Sequence, residues 1–218
     1  MGFEKMKEEI ENLFPDAVSR ELGEYAHLKY PKHLPMMKMD VYQYALDGFG
    51  SIMVMNTSMM SLMKLSTVSF TPNQGKDVPF LLVDSMSMMN KRLAYVEFYN
   101  TTAKTYPTLV RLDEKYRKIK DYQEKDAWYV PERMRGSLIK CGTKKEEDML
   151  MDMILDALSS YKEVIDKAGV DPENHKRLSA FATRMLQEGN PSSATLEKVL
   201  GKEKATDFFR QVVMPMEN

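Results

Sequence analysis

The chain has 218 residues, with 31 basic against 32 acidic side chains and a formal net charge of −1. Its length suits one domain with a sizeable core, and 43% hydrophobic with 29% charged residues excludes global disorder. The balanced charge offers no field to draw in nucleic acid or an anionic membrane, and one cysteine makes neither an internal disulfide nor a cysteine-based zinc site, in keeping with a reducing cytoplasm.

The first residues, Met1 to Glu9, are too charged for a signal peptide, and Met6 stands where a myristoylation signal needs Ser or Thr. No stretch approaches the roughly 18 apolar residues of a membrane span. Within residues 1–30, Phe3, Met6, Ile10 and Leu13 recur at helical spacing; Pro15 breaks the run before a second turn around Leu22, Tyr25 and Ala26. This predicts an N-terminal helical segment.

Residues 36–100 read as sheet. Met37 to Tyr42 alternates apolar and polar; further runs begin at Ile52, continue from Leu62 to Phe70, and recur at Pro79–Asp84 and Leu93–Tyr99. Gly48-Phe49-Gly50 and Pro72-Asn73-Gln74-Gly75 punctuate them. The links are too short for crossover helices, so about five strands form an antiparallel meander.

Residues 107–213 turn mainly helical. Thr143-Lys144-Lys145-Glu146 is a capping box, followed by a stripe from Leu150 to Ile165. Asp171-Pro172 opens the next helix, Ser193 caps a short one that Gly201 ends, and Ala205, Phe208, Phe209 and Val212 belong to a last. The order predicts a single α+β domain over 1–218, with helices packed on an antiparallel sheet.

Phosphate-loop, dinucleotide, zinc-protease and nucleophile-elbow motifs are absent. His27, His33 and His175 lack ligand spacing, and Cys141 has no His or Cys partner, so each reads as ordinary structure. Asp84 is more suggestive: it closes the apolar run Pro79–Val83, and burial there would raise its pKa toward that of a proton donor, unless it is simply a turn residue. Of 20 methionines, 11 fall in residues 36–89. Thioethers lining a sheet face suit a large, flat, apolar ligand, although methionine also fills ordinary cores.

The run Asn190-Pro191-Ser192-Ser193-Ala194-Thr195-Leu196-Glu197-Lys198-Val199-Leu200-Gly201, followed by Phe208 to Val213, resembles the closing motif of the ferredoxin-dependent bilin reductases. In that family an Asn-Asp pair precedes Leu-Glu-x-x-(Phe/Leu)-Gly and a final aromatic helix. Val68-Ser69-Phe70 with Val78 to Asp84 is similar to the family's strand pair, where a Pro lies five residues before the central aspartate. Trp128 and the capped helix after it agree in order and spacing. The resemblance implies a three-layer α/β/α sandwich holding an open-chain tetrapyrrole, a bilin, between sheet and C-terminal helices. It also implies single electrons from an external ferredoxin, no metal or flavin bound in the protein, and Asp84 as catalytic proton donor.

Departures accompany it. Ser66 stands where some members carry a His before the strand, Met53, Val54 and Met55 offer no counterpart to an earlier Glu, and Asn190 replaces the second aspartate. Lys91, Arg92, Arg133 and Arg135 are the positional candidates for holding propionates, and Glu114–Lys120 for meeting ferredoxin. The expected function is therefore a bilin reductase-like oxidoreductase. The alternatives are a non-catalytic tetrapyrrole or haem binder on the same fold, and a Met-rich interaction module.

Overall fold

The computed structural model describes residues 2–31, 33, 36–60, 62–73, 75–102, 104–190 and 193–215, with the backbone alone at 193 and 194. The predicted meander is present as five long strands, β3 (Met37–Leu46), β4 (Gly50–Met59), β5 (Met63–Pro72), β6 (Phe80–Met88) and β7 (Lys91–Tyr99), all antiparallel. Three strands were not expected: β1 (Val18–Arg20), β2 (His27–Tyr30) and β8 (Leu138–Thr143). The first two share the outer edge of β3, and β8 pairs with β7, giving an eight-stranded sheet.

Residues 15–30 are thus edge strands around a short 3-10 turn rather than a second helix. The physical reason is brevity: β1 has three exposed residues and β2 buries only Leu28, too few positions for a period of two to register. At the β3–β4 hairpin, Gly50 has φ +142°, and a Cβ there would lie 2.2 Å from the Thr71 carbonyl oxygen. A side chain cannot fit that approach.

Helices cover both faces, as the three-layer expectation required. On one face lie α1 (Gly2–Leu13), α2 (Pro107–Lys115) and α3 (Glu147–Lys167). They bury Ile52, Val54, Val68, Val83 and Val96 against Phe3, Met6, Ile10, Leu112, Ile154 and Leu158. The capping box is formed: Thr143 N–H donates to Glu146 at 2.7 Å and Lys145 N–H to the Thr143 hydroxyl at 3.2 Å.

On the other face lie α4 (Pro172–Gln187), α5 (Ser193–Leu200) and α6 (Lys202–Phe208), the last running into a π-helical turn at Phe209–Val213. Asp171 caps α4, accepting from the Glu173 amide at 3.0 Å, with Pro172 at the first turn. Ser193, expected to cap α5, is its first residue, and its side chain lies outside what is described. This second layer packs as two separate clusters. Met39, Val41, Met53 and Met55 meet Leu196, Phe208 and Val212, whereas Phe80 and Tyr99 meet Phe181, Met185 and Phe209. The candidate site lies between them.

Candidate functional site

Strand alternation decides which side chains meet here. Cross-strand register aligns Val41, Met55, Thr67, Asp84, Tyr95 and Ile139 in one row across the sheet, and Gln43, Met53, Ser69, Leu82 and Glu97 in the next. Both rows face the C-terminal helices, while Val83 faces α3. Asp84 does not end a strand: Ser85-Met86-Ser87-Met88 keeps alternating and carries β6 four residues further, so the carboxyl sits mid-strand.

Asp84 opens onto an apolar cavity walled by Met53, Met55 and Leu82 of the sheet and by Met185, Leu196, Phe209 and Met214 of the helical layer. The Thr67 hydroxyl, directly across the strand pair, donates to Asp84 Oδ1 at 2.5 Å. As a residue Asp84 is half-buried, yet dense apolar packing around its carboxyl pushes the pKa up to about 6, with the Thr67 bond pulling the other way. Such an acid keeps its proton up to about pH 6, well above an ordinary aspartate, and releases it readily. Asn190, from the chain after α4, lines the same cavity. Trp128 fixes that junction, its Nε1 donating to the Gly189 carbonyl at 2.8 Å.

The enclosed space is about 40 Å³, room for a water or two against the roughly 300–1,000 Å³ of pockets that hold drug-sized ligands. The cavity beside Asp84 is Met-lined but nearly closed.

Other expected site residues lie elsewhere. Ser66 points to the opposite face, where its hydroxyl and that of Ser85 approach Gly2 of α1. Its neighbour Thr67 takes the place beside Asp84, because one step along a strand reverses the side chain. Lys91 stands over the Tyr122 ring at 4.4 Å, and Arg92 faces α3, where its Nε donates to Glu147 at 2.9 Å. Arg135 is exposed in a cleft with Lys104, Tyr106 and Arg177. In the Glu114–Lys120 stretch, Lys115 is ion-paired with Asp156.

Arg133 is buried between two carboxylates. Its Nε donates to Glu97 Oε1 at 2.7 Å, and its other nitrogens engage Glu97 and Glu124. Tyr99 adds a hydroxyl donor to the same Glu97 oxygen at 3.0 Å. Burial pushes Glu97 up to about 7, against the pull of Arg133 and with Asp84 adding repulsion. Arg133 is therefore committed to an internal network, not to the cavity. Sequence reading missed Glu97, though an acid inside the alternating run Leu93–Tyr99 was its visible signal. It also missed Met185 and Met214, which no spacing connects to the sheet.

Among the described residues no cluster of His, Cys, Asp or Glu is arranged to hold a metal ion, and no helix is long and apolar enough to cross a membrane.

No protein-family model matches the sequence, and no curated protein does. Among solved structures the fold is similar to that of tomato phytochromobilin synthase in complex with biliverdin, with a TM-score of 0.79. The superposition covers 94% of this chain and 79% of that one at 11% sequence identity, a likeness of fold.

Proposed function

We propose that this protein binds an open-chain tetrapyrrole against the sheet face that carries Asp84, and that it reduces it with electrons delivered by an external ferredoxin. One observation carries the reading. On a fold shared with a biliverdin-bound synthase, a single carboxyl with a pKa raised to about 6 faces a mainly apolar cavity whose other polar side chains, Thr67 and Asn190, carry no charge. Saturating one double bond takes two electrons and two protons, and Asp84 is the donor of one proton. A protonated carboxyl beside the pyrrole nitrogens shares its proton with them, which favours the cationic chromophore that accepts the first electron.

The Met side chains suit the ligand because they are polarisable and change rotamer at little cost, so a nearly closed apolar space can re-form around a flat guest. Entry requires part of the helical wall, where Leu196 of α5 closes the cavity, to move outward, since about 40 Å³ holds no tetrapyrrole.

A second reading has its own support: Asn190 in the cavity has no carboxyl proton to give. On that reading the protein binds a bilin or haem without turnover. Titration with biliverdin and with haem, followed by visible absorbance, tests both readings, and no spectral change with either refutes both. Addition of reduced ferredoxin under anaerobic conditions separates them. The enzyme reading requires bilin consumption that is lost in Asp84→Asn while the binding spectrum is kept. A stable complex that reduced ferredoxin leaves unchanged favours the binder.

A further inference from the structure

Five exposed methionines that do not line the cavity, Met36, Met59, Met60, Met88 and Met89, gather at one end of the sheet. The turns after β4 and β6 and the chain entering β3 are joined by backbone hydrogen bonds. Met60 N–H donates to the Met36 carbonyl at 2.9 Å, and Met89 N–H to that of Leu62 at 3.4 Å. These neighbouring tips display Met60, Leu62 and Met89, the last 83% exposed, with Met36, Met59 and Met88 exposed behind them. Tyr30, paired with Met37, extends the same edge.

Exposed apolar side chains scattered singly need no explanation, but a contiguous set at adjoining tips does. Backbone conformation adds an independent sign. Met60 has φ +43° and Met89 φ +51°. Glycine or asparagine takes that left-handed conformation at least cost, yet the chain puts methionine there.

Charge around the tips is one-sided. The described residues within 27–39, 57–64 and 85–92 include Lys29, Lys38, Lys64, Lys91 and Arg92 and no acid. Register places Lys29, Lys38, Lys64 and Arg92 in a single row just behind the tips. Among the described residues no ion pair engages Lys29, Lys38, Lys64 or Lys91. The nearest acids are occupied: Asp40 by His27, Glu147 by Arg92, Asp148 by Lys5 and Glu146 by Thr143.

From this we infer that the hairpin end of the sheet is a docking surface for an anionic lipid bilayer, with Met60, Leu62 and Met89 entering the acyl boundary and the lysine row lying at headgroup depth. Protruding apolar tips backed by free lysines match the two requirements of interfacial binding, burial of apolar area and attraction to anionic headgroups. A protein partner or a second copy of this chain would call for a flatter or concave apolar face and for acidic groups opposite the lysines. The inference stands apart from the tetrapyrrole reading and survives its failure.

Co-sedimentation of the full chain with phosphatidylcholine vesicles, with and without phosphatidylserine, tests it. Binding is expected with the phosphatidylserine vesicles and should fall as salt is raised. Lys38→Gln and Lys64→Gln should each weaken it about five-fold, the factor for one lysine near an anionic surface. The double variant M60N/M89N puts a side chain suited to positive φ at each tip, so it keeps the fold and the melting temperature while losing vesicle binding. Failure to bind phosphatidylserine vesicles overturns the inference. So does unchanged binding by M60N/M89N, or a dimer seen by light scattering in the wild type and abolished in that variant.

Discussion

Replacing Asp84 with Asn removes one titration from the interior, and its effect on stability has a definite sign. Burial raises the folded carboxyl to about 6 from an ordinary 3.8. Between those values the native state binds more protons than the unfolded chain, so stability falls as pH rises through that window. The loss is complete above about pH 6 and absent well below 3.8. A gap of about 2.2 pH units at about 1.36 kcal/mol each corresponds to about 3 kcal/mol at pH 8, and to about 1 kcal/mol at pH 4.5. Asn keeps an oxygen acceptor for the Thr67 hydroxyl, and the value of about 6 already includes the pull of the Thr67 bond on the ionised carboxyl. Asp84→Asn, which does not titrate, should therefore gain about 2 kcal/mol on wild type between pH 4.5 and pH 8 and be the more stable of the two at pH 8. Urea unfolding followed by far-ultraviolet circular dichroism at the two pH values measures this. An Asn variant equally or less stable at pH 8, or a difference that does not change with pH, would refute a carboxyl strained by burial.

Other expectations follow from the same geometry. Arg133→Met leaves Glu97 and Glu124 facing each other without their cation, and unfolding should lose about 3–5 kcal/mol at pH 8. Because Glu97 already titrates at about 7, the loss should shrink toward pH 5 as its carboxyl takes up a proton, which paired denaturation curves will show. Gly50→Ala drives a Cβ into the Thr71 carbonyl and should cost about 3 kcal/mol, whereas Gly48→Asn, with φ +65° and open space around it, should leave the melting temperature nearly unchanged.

The five long strands and five of the six helices are legible in the sequence, the longest because each repeats its pattern often enough to fix a period. Ten residues of β3 and twenty-one of α3 leave little ambiguity. β1, β2 and β8 have three, four and six residues, and what fixes them is a partner distant in sequence, as when Val18 pairs with Ala45. α2, nine residues long, is not singled out from the general helical reading of residues 107–213 for the same reason, whereas α6 is marked by Ala205 and Phe208. Of the site, Asp84 and Asn190 could be picked out in advance, and the structure brings them to one cavity. The basic residues could not, because a sequence shows charge but not its partner. Arg133 and Arg92 have carboxylates, and the near-zero net charge conceals an acid-free lysine row.

How the cavity opens depends on which of its walls is held. Carbonyls around the π-helical turn are tied to the sheet: Gln43 donates to Gln211 and Val212 at 2.9 and 3.1 Å, and Ser69 to Val213 at 2.9 Å. That wall cannot withdraw without leaving buried polar groups unpaired. α5, by contrast, reaches the cavity through the apolar side chain of Leu196, which among the described residues packs on the methionines of the sheet. If the proposed tetrapyrrole ligand enters here, motion at α5 is the less costly route, and the closed form taxes affinity by the fraction of molecules that are open. Leu196→Ala should cost about 2–3 kcal/mol of stability and, by favouring the open form, should tighten biliverdin binding relative to wild type. Thr71→Val, on the anchored wall, should not. An absorbance titration that finds Leu196→Ala binding biliverdin more weakly than wild type would mean that Leu196 contacts the ligand rather than restraining its entry.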